Sequence, residues 1–561
     1  MFLRILECRT PKGSYRYLKL VENVREKGKR VQRTLLNFGN VERWPRSRLE
    51  EFIRKLNDFY HLELVPAADD ISPEDSFEFG APYALDVVWQ QLGLSDALRR
   101  HARRHKVDFD LVRPVKTMVF NRLLDPRSKL GVYQWARGEC IPEVFPERVP
   151  LHRYYRSLDY LMEYKESLEQ DIFWQVNDLF NLDLSLVFYD LTSSYFEGRG
   201  PSIARYGYSR DHRPDCRQID LALLINRDGL PIAHEVFEGN RKDSDTVSDA
   251  LCRLQGQFKI KRCVFVGDNG MVTPENIALL EEQGFEYILS LKLHKDPLAS
   301  AALEGLSPQE YPSWERLKEN LFVKELDPPC PGRRIVALYN PIRARESRNG
   351  RQQKIQEAVE YLEGFALPRR KGQHKDPQKI HRQIERWLRQ RHLFRFFTYR
   401  YRGEGHFEYR LREEVLATEA KCDGLSLLLT NSEQLSAEEV ATGYRTLSEV
   451  EEAFRQIKSF LRIRPIWHYK ELRVRGHVFI CVLAYLLEKA LQRRLHSGGL
   501  SITAKRALET LAPVHLVTYE IMGRKVSKVT KLRPEHLKIF KSLGVDHPPK
   551  VYPLPPGTDV V

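Results

Sequence analysis

The chain has 561 residues, of which 42% are hydrophobic and 30% are charged, and its formal net charge is +14. That length suggests three or four domains, and the composition excludes a wholly disordered chain, a collagen and a membrane-embedded bundle. A basic excess of this size indicates a polyanionic partner. Composition alone leaves DNA, RNA and anionic lipid equally open.

The cysteines and the apolar segments predict a cytoplasmic protein without a membrane partner. None of the eight cysteines has CxxC spacing or lies in a zinc-binding pattern, so we expect free thiols in a reducing compartment. The N-terminus lacks an apolar stretch of the signal-peptide type. The longest apolar run, Val478–Leu487, is too short for a bilayer core of about 30 Å and is predicted to be a buried helix.

Residues 1–80 form a basic region predicted to contain a β-hairpin. The segments SYRYLKLVENVR and KRVQRTLLNFG have strand patterns, and EKGK lies between them as the turn. The hairpin is interpreted either as a solvated surface or as an arm that faces nucleic acid. Both interpretations remain open.

Residues 81–183 have apolar positions at helical spacing, for example in YALDVVWQQLGLSDALRRHA and SLDYLMEYKESLEQDIFWQVNDLF. A small helical region with basic edges suits a helix-turn-helix DNA-binding domain, and we predict a DNA-binding role for it. Plain packing of helices explains the pattern equally well. No segment is marked as a recognition helix.

At residue 184 the hydrophobic period changes, and residues 184–300 are predicted to be the first half of a catalytic core. LSLVFYDLTSSYFE is a strand, and RQIDLALLINRDGLPIAHEVFEG gives two strands joined at Asn226–Gly229. A helix, the strand KRCVFVGDNG, the helix TPENIALLEEQGF and the strand FEYILSLK follow. This order predicts an α/β fold with a mixed sheet of the ribonuclease H type.

Residues 301–425 break this pattern and are predicted to be an α+β insertion in the core. The segment Pro368–Arg402 is dense in Lys and Arg and includes Arg386, Arg389 and Arg391. An aromatic and Arg-rich hairpin, LFRFFTYRYRGEGHFEYRLRE, overlaps its end and turns at GEG. The arginines are interpreted either as solvated or as lying along DNA phosphates, and the charge density favours DNA contact.

Residues 426–500 are predicted to complete the core. They hold most of the buried strand GLSLLLT, a long helix from about Ser436 to Phe460, and an apolar helix at 475–495. Residues 501–561 form a C-terminal region with the strands LVTYEIM and VSKVTKL, a helix and a Pro-rich tail.

Three acidic residues occupy positions suited to a metal site. Asp190 and Asp268 are each predicted to end a strand, and Glu451 lies on the predicted long helix. Mg²⁺ prefers oxygen ligands, and carboxylates that bind two such ions can support phosphodiester cleavage. Taken singly, each acid has another interpretation: Asp190 and Asp268 as turn residues, and Glu451 as a surface acid.

The predicted long helix adds cations to this group. Glu451, Arg455 and Lys458 share one helical face, and Tyr444 precedes Glu451 by seven residues on the same stripe. A carboxylate among cations suits a site that holds both metal and phosphate. An ordinary surface ladder of ion pairs is the alternative.

Several segments together resemble the DDE transposases of bacterial insertion sequences, in the superfamily with a Tyr–Arg–Glu–Lys signature around the third acid. The matching segments are YDLTSSYFEG, GYSRDHRPDCRQIDLALLINRDGLPIAHEVFEGN, VGDNGMVTPENIALL, DGLSLLLTN and YRTLSEVEEAFRQIKSFLRIRPIWH. The N-terminal FLRILECRTPKGSYRYLKLVENVREKGK is also similar to the opening of these proteins. The resemblance covers about residues 1–40 and 185–500.

The resemblance implies that Asp190, Asp268 and Glu451 are catalytic and bind Mg²⁺ or Mn²⁺. Tyr444 and Lys458 match the signature's Tyr and Lys, whereas its Arg falls on Leu447. A phosphate contact from Arg445 or from Arg455 is therefore expected in its place.

The implied function is transposition. The protein would bind the terminal inverted repeats of its element, cut double-stranded DNA there and join the 3′-OH to target DNA. It would use no nucleotide cofactor, and it would act as a homodimer on two ends in the cytoplasm, at the nucleoid. A ribonuclease H-like nuclease without strand transfer, and an inactive DNA-binding derivative, remain alternatives.

Overall fold

The computed structural model describes residues 1–10, 13–26, 29–60, 71–145, 147–180, 185–260, 263–367, 376–402, 406–521 and 524–549. The chain divides into two compact units. One comprises Met1–Asp75, Thr518–Ser527 and Pro556–Val561, and the other comprises Ser76–Val517 and Lys528–Pro555.

The described residues form seventeen strands and eighteen α-helices. The strands are β1 Phe2–Thr10, β2 Gly13–Glu26, β3 Lys29–Asn40, β4 Ile71–Glu78, β5 Leu186–Tyr195, β6 Gln218–Asn226, β7 Pro231–Glu238, β8 Val264–Gly267, β9 Glu286–Ser290, β10 Glu315–Lys318, β11 Leu321–Cys330, β12 Arg333–Tyr339, β13 Phe397–Tyr401, β14 Phe407–Leu411, β15 Leu425–Thr430, β16 His515–Ile521 and β17 Arg524–Val529. The helices are α1 Arg46–Tyr60, α2 Gly80–Gln91, α3 Leu94–Arg104, α4 Val112–Leu124, α5 Lys129–Trp135, α6 Leu151–Glu163, α7 Lys165–Phe180, α8 Val247–Cys252, α9 Pro274–Glu282, α10 Pro297–Glu304, α11 Pro341–Glu363, α12 Pro377–Gln390, α13 Glu413–Cys422, α14 Ala437–Arg445, α15 Ser448–Ser459, α16 Glu471–Ser497, α17 Ala504–Leu511 and α18 Pro534–Ser542.

The N-terminal region is a three-stranded antiparallel sheet in the order β1–β2–β3. Both strands of the predicted hairpin are present, as β2 and β3, and β1 is an additional strand that pairs with β2 along its whole length. Two residues of the predicted EKGK turn, 27 and 28, lie outside the described residues. Side chains of β3 are mostly exposed, so this sheet does not bury a full apolar face there.

The predicted helical region is confirmed as six helices, α2 to α7. Three of them, α2, α4 and α6, pack against α16, whose residues between Val474 and Leu491 are almost all buried. A helix that is apolar all round is expected at the centre of a helical layer. No helix of the described chain is long and apolar enough to cross a membrane.

The centre of the second unit is a nine-stranded mixed sheet in the order β10–β11–β12–β15–β9–β8–β5–β6–β7. Strands β5, β8 and β9 are parallel neighbours, and the other neighbouring pairs are antiparallel. The mixed α/β class predicted from the sequence is therefore confirmed, and so are the strands predicted within residues 184–300.

The two faces of this sheet carry different layers because side chains alternate along each strand. On β5, Val187 and Tyr189 belong to the core shared with α8 and α9. Leu186 and Phe188 belong to the core shared with α14, α15 and α16. Asp190 follows the same alternation and therefore lies on the face that α15 covers.

Residues 301–425 contribute to the sheet as well as forming a separate cluster. β10, β11 and β12 extend the nine-stranded sheet through the pairing of β12 with β15. Helices α11 and α12 and strands β13 and β14 form a smaller core around Leu362, Ile384 and Phe397. In the predicted basic segment and hairpin, residues 368–375 and 403–405 lie outside the described residues.

Two predictions about local structure are wrong. Asp190 does not end its strand, because the next five residues continue to pair with β6 as far as Tyr195 opposite Gln218. The helix predicted from Ser436 to Phe460 is divided into α14 and α15. The Leu447 amide donates to the Tyr444 carbonyl at 3.0 Å, a tight turn that separates Tyr444 from the helix of Glu451.

Candidate active site

Asp190 and Asp268 lie side by side on neighbouring parallel strands. The pairing of β5 with β8 ends where Tyr189 lies opposite Gly267. Asp190 is the next residue of β5, and Asp268 is the first residue after β8. Each side chain accepts a hydrogen bond from the following backbone amide, at 2.7 Å for Asp190 and at 2.5 Å for Asp268. Backbone pairing thus holds both carboxylates at one position along the sheet.

The electrostatic environment of Asp190 opposes a negative charge. The pKa of the Asp190 carboxyl is raised to about 7: burial is the largest cause and the nearby Asp268 carboxylate adds to it, whereas the Leu191 amide and Arg210 oppose the change. A raised pKa caused by burial and by a second acid indicates a position where a cation would be stabilising.

Glu451 is exposed on α15, in the helical layer that covers the Asp190 face of the sheet. α15 packs against β5, and buried Val450 and Phe454 attach it to the core. The Tyr444 hydroxyl is hydrogen-bonded to Ser290 and is close enough to all three acids to be affected by their charges. Burial raises its pKa, and the carboxylates of Asp268, Glu451 and Asp190 each add to that shift.

The charges of these three acids are not matched by cationic side chains. Within the described parts of the chain, no Lys, Arg or His forms an ion pair with Asp190, Asp268 or Glu451, although acids around them are paired. Three hard oxygen ligands without a protein cation fit a divalent ion chemically. The same residues do not form a closed ligand group, since no three Asp, Glu, His or Cys side chains of the described chain meet at metal-binding distance.

The remaining residues of the predicted α15 face are engaged in ion pairs. The Lys458 ammonium donates to Asp211 at 2.8 Å, and Arg464 lies 3.0 Å from the other oxygen of that carboxylate. Burial lowers the pKa of Lys458, and Asp211 opposes this change. Arg455 is exposed and pairs with Glu452 on its own helix.

Comparison with known families decides the identity of the chain. Residues 182–487 match the family described as transposase DDE domain, and this segment covers more than half of the chain. Residues 3–62 match the N-terminal domain of the IS1634 family transposases. The chain belongs to the DDE transposase family. It is an insertion-sequence transposase, an enzyme that cleaves DNA and transfers strands with a divalent metal ion.

Other comparisons add no further argument. Among curated proteins, no relative matches the transposase. A solved structure, the cryo-EM structure of piggyBac transposase in a synaptic complex with hairpin DNA, is similar with 9% sequence identity and a TM-score of 0.38. That match covers 77% of this chain and 79% of the other. At this level of similarity it supports no residue assignment.

The structure places the other predicted DNA-contacting residues on α12 of this transposase and directly after it. Arg386 and Arg389 are exposed on α12, and Arg391 is exposed directly after it. Arg389 pairs with Glu385 at 2.7 Å, and the Arg391 guanidinium lies 4.1 Å from the centre of the Trp387 ring. All three arginines are therefore exposed to solvent near the C-terminal end of α12.

Leu447 stands where the signature's Arg is expected, and the structure gives it a different role. Its side chain is buried in the core beneath α15, so a cation at that position is excluded by packing. Arg445 is exposed. Arg464, which lies beside Lys458 on the next segment, is a third arginine near the signature that sequence reasoning missed.

Sequence reasoning also missed the segment between β5 and β6. The Arg210 Nη2 group donates to both carboxylate oxygens of Asp243 at 2.7 Å, and the Arg210 backbone amide donates to the Ser193 hydroxyl at 2.9 Å. The buried Asp220 carboxyl lies 4.0 Å from Arg210, and burial raises its pKa to about 7. The motif GYSRDHRPDC contained the signal, because alternating Arg and Asp in an ordered loop suggest charge pairing.

Proposed function

We propose that this transposase binds the terminal inverted repeats of its element, cuts the DNA at both ends and joins each 3′-OH to target DNA. Asp190, Asp268 and Glu451 are the catalytic acids of this proposal. The supporting observation is the adjacent pair of aspartates on β5 and β8, which no cationic side chain of the described chain neutralises.

The order of the central strands supports a ribonuclease H-like core. Reading β7–β6–β5–β8–β9, the first three strands form an antiparallel meander, and β5, β8 and β9 are parallel. The helical connections of the parallel strands bring α8 and α9 to the face opposite α15. An acid on the central strand and one at the next strand then converge, as metal-dependent phosphodiester cleavage requires.

Mg²⁺ is the proposed physiological ion, and Mn²⁺ its substitute, because the donor set consists of carboxylate oxygens. When bound by these acids, the ion supplies activation of the attacking oxygen and stabilisation of the leaving oxygen. Asp190 and Asp268 hold one side of the site through backbone pairing. Glu451 would complete the metal site from α15.

Lys458 and Tyr444 are proposed to contact the DNA strand beside the cut. Lys458 would act as a positive charge near a phosphate, and Tyr444 would hydrogen-bond or stack against the same strand. Neither is proposed as a metal ligand. Lys458→Ala should therefore lower cleavage by a graded amount, whereas Glu451→Ala should abolish it.

Transposition requires two ends, so we propose a homodimer on paired DNA ends, acting on chromosomal DNA at the nucleoid. The joining step is tested with oligonucleotide ends that already carry a free 3′-OH. Strand transfer by wild type, and its loss in Asp268→Asn, would support the proposal. Cleavage of intact ends without joining would identify a nuclease. The absence of both cleavage and joining would identify an inactive DNA-binding derivative.

The basic stretch around α12 is proposed to hold DNA through its backbone. Neutralising Arg386, Arg389 and Arg391 to Gln should weaken binding to every sequence alike and reduce the salt dependence by about one unit of slope per lost phosphate contact. Fluorescence anisotropy at several salt concentrations measures this. Gln substitution of Arg343, Arg345 and Arg348 on α11 provides a charge-matched control, and an equal response of both triple variants would remove the assignment.

A further inference from the structure

One anionic side chain beside the candidate active site holds two cations from another segment. Asp211 accepts from Lys458 at 2.8 Å and lies 3.0 Å from Arg464. The exposed fractions of the three side chains are 10% for Asp211, 18% for Lys458 and 23% for Arg464. This group is largely shielded from water, so its interactions are stronger than those of surface pairs.

Arg464 borders a cleft that Asp211 does not line, and Lys458 is partly exposed. Arg464 lies 4.4 Å from the centre of the Tyr195 ring and lines a cleft of about 430 Å³ together with Trp467 and Tyr469. Trp467 and Tyr469 are mostly exposed. A cationic edge beside exposed aromatic rings has the chemistry that contacts a nucleic-acid strand.

Asp211 is not required to hold its own segment in place. The neighbouring Arg210 fixes the segment through two bonds to Asp243, and Gln218 donates to the carbonyls of Tyr208 and Gly239. The following residue, His212, has a φ of 56°, a left-handed conformation that few non-glycine residues adopt. The Asp211 carboxylate is thus presented to Lys458 and Arg464 by a segment that is anchored elsewhere.

We propose that Lys458 and Arg464 form a subsite for one backbone phosphate of DNA, and that Asp211 occupies this subsite until DNA replaces it. A carboxylate and a phosphate diester each bring one negative charge and accept the same charge-assisted hydrogen bonds from ammonium and guanidinium groups. The exchange therefore leaves no cation unpaired. Asp211 acts as a tethered competitor that weakens binding to arbitrary DNA.

This inference rests on the proposed function to the extent that DNA passes beside α15. It adds Arg464 as a contact that the signature does not include and Asp211 as the group that opposes binding. The competition is sequence-independent, because only the phosphate is recognised. DNA that makes further specific contacts would displace Asp211 more readily than random DNA.

The experiment measures binding of a labelled 20-base-pair duplex of random sequence by fluorescence anisotropy in the absence of divalent ions. Asp211→Asn should bind about five- to tenfold more tightly than wild type, since the competing charge is removed at constant shape. Asp215→Asn is the matched control. It removes the same charge from the same segment, but Asp215 is exposed and pairs with Arg213.

Two further variants locate the effect. In a Lys458→Ala, Arg464→Ala background, the additional Asp211→Asn change should give no gain, because the subsite is gone. Arg464→Gln alone should weaken binding and reduce the salt slope by about one unit. This variant keeps Asp211, so it tests the subsite even if Asp211→Asn is poorly folded in thermal denaturation.

An equal gain in Asp211→Asn and Asp215→Asn would overturn the proposal, as would a gain that persists without Lys458 and Arg464. An unchanged salt slope in Arg464→Gln would also overturn it. These outcomes differ from failure of the proposed function, which is read from cleavage and strand transfer by Asp190→Asn and Asp268→Asn. An active transposase without the Asp211 effect would lose only this inference.

Discussion

Two groups of acids in the second unit differ in the charges that surround them. Glu169 on α7 is buried and touches Lys165 at 3.3 Å and His234 at 2.6 Å, and it also pairs with Arg253. Asp190 on β5 has Asp268 beside it and no ion pair within the described chain. One acid is surrounded by cations, and the other is next to a second acid.

The pKa values of the two acids differ in direction for this reason. Burial alone would raise both, but the charges of Lys165 and Arg253 and the contact with His234 hold the pKa of Glu169 below its usual range. Burial and Asp268 raise the pKa of Asp190 to about 7. Glu169 is therefore a carboxylate that the fold itself neutralises, which is typical of a structural network.

The two groups differ in how the fold balances their charge. A buried network of ion pairs links α7, β7 and α16, since Glu235 of β7 pairs with Lys165 of α7 at 3.1 Å and with Arg475 of α16 at 3.4 Å. An unpaired group of acids costs stability in the free protein, and such a cost is kept where a cation or substrate is to be bound. The predictions below test this distinction from the largest effect to the smallest.

The largest effect is expected for Asp190→Asn and Asp268→Asn. Each removes a charged ligand, so cleavage and joining of element ends should fall by about a thousandfold or more. Binding of end DNA and the thermal unfolding midpoint should be retained, because no cation loses its partner. Gel assays of cleavage and a thermal scan measure both properties.

Asp228→Asn is the control for these variants. Asp228 is exposed at the turn between β6 and β7 and pairs with Arg493. Its substitution should leave cleavage unchanged. Full activity in Asp190→Asn, or an unfolded protein, would place Asp190 with the structural acids and end the contrast.

The next effect concerns stability and is expected for Glu169→Gln. Removing this charge leaves the buried Lys165 and Arg253 with one carboxylate partner, Glu235, in place of two, which should lower the free energy of unfolding by about 3 kcal/mol. Urea denaturation measures the change, with exposed Glu357→Gln on α11 as the matched substitution. A loss below about 1 kcal/mol would show that the network tolerates the loss of one carboxylate.

Much of the fold was predictable because its signals are local. Alternation and apolar runs gave the strands around Asp190 and Asp268, and helical periodicity gave the layer that surrounds α16. The break between α14 and α15 was not predictable, since YRTLSEVEEAFRQIKSF has continuous helical periodicity. The turn at Leu447 depends on its burial in the core.

The candidate acids were found from the sequence, but the ion pairs around them were not. Hydrophobic strands ending near acids suggested Asp190 and Asp268, the predicted long helix suggested Glu451, and the family resemblance implied that all three are catalytic. The pairing of Asp211 with Lys458 joins residues 247 positions apart. Strands β10 to β12 likewise join the central sheet through the pairing of β12 with β15. Local sequence patterns do not predict a pairing between segments so far apart in the chain.

The smallest expected effect is a change of stability with pH. Above pH 5, Asp190 should contribute to this change and Glu169 should not. The folded-state pKa of Asp190, about 7, is above its ordinary value of 3.8, so the folded protein binds the proton more tightly than the unfolded chain. Its contribution to stability is therefore present at low pH and is lost as pH rises toward 7. The contribution of Glu169 to stability has the opposite sign, because its pKa is lowered in the folded protein. That contribution is present at neutral pH and is lost only in acid.

Asp190→Asn isolates this contribution from other acids with raised pKa values, such as Asp220 and Glu488. The unfolding midpoint of Asp190→Asn should equal that of wild type at pH 5.5, where Asp190 is mostly protonated, and should exceed it by a few degrees at pH 8. Added Mg²⁺ or Mn²⁺ should stabilise wild type more at pH 8 than at pH 5.5, since protons compete with the ion for the same carboxylates. Asp190→Asn should lose that metal response. An equal metal response at both pH values would mean that the ion binds away from Asp190, and the acids that lack cationic partners would then need another explanation.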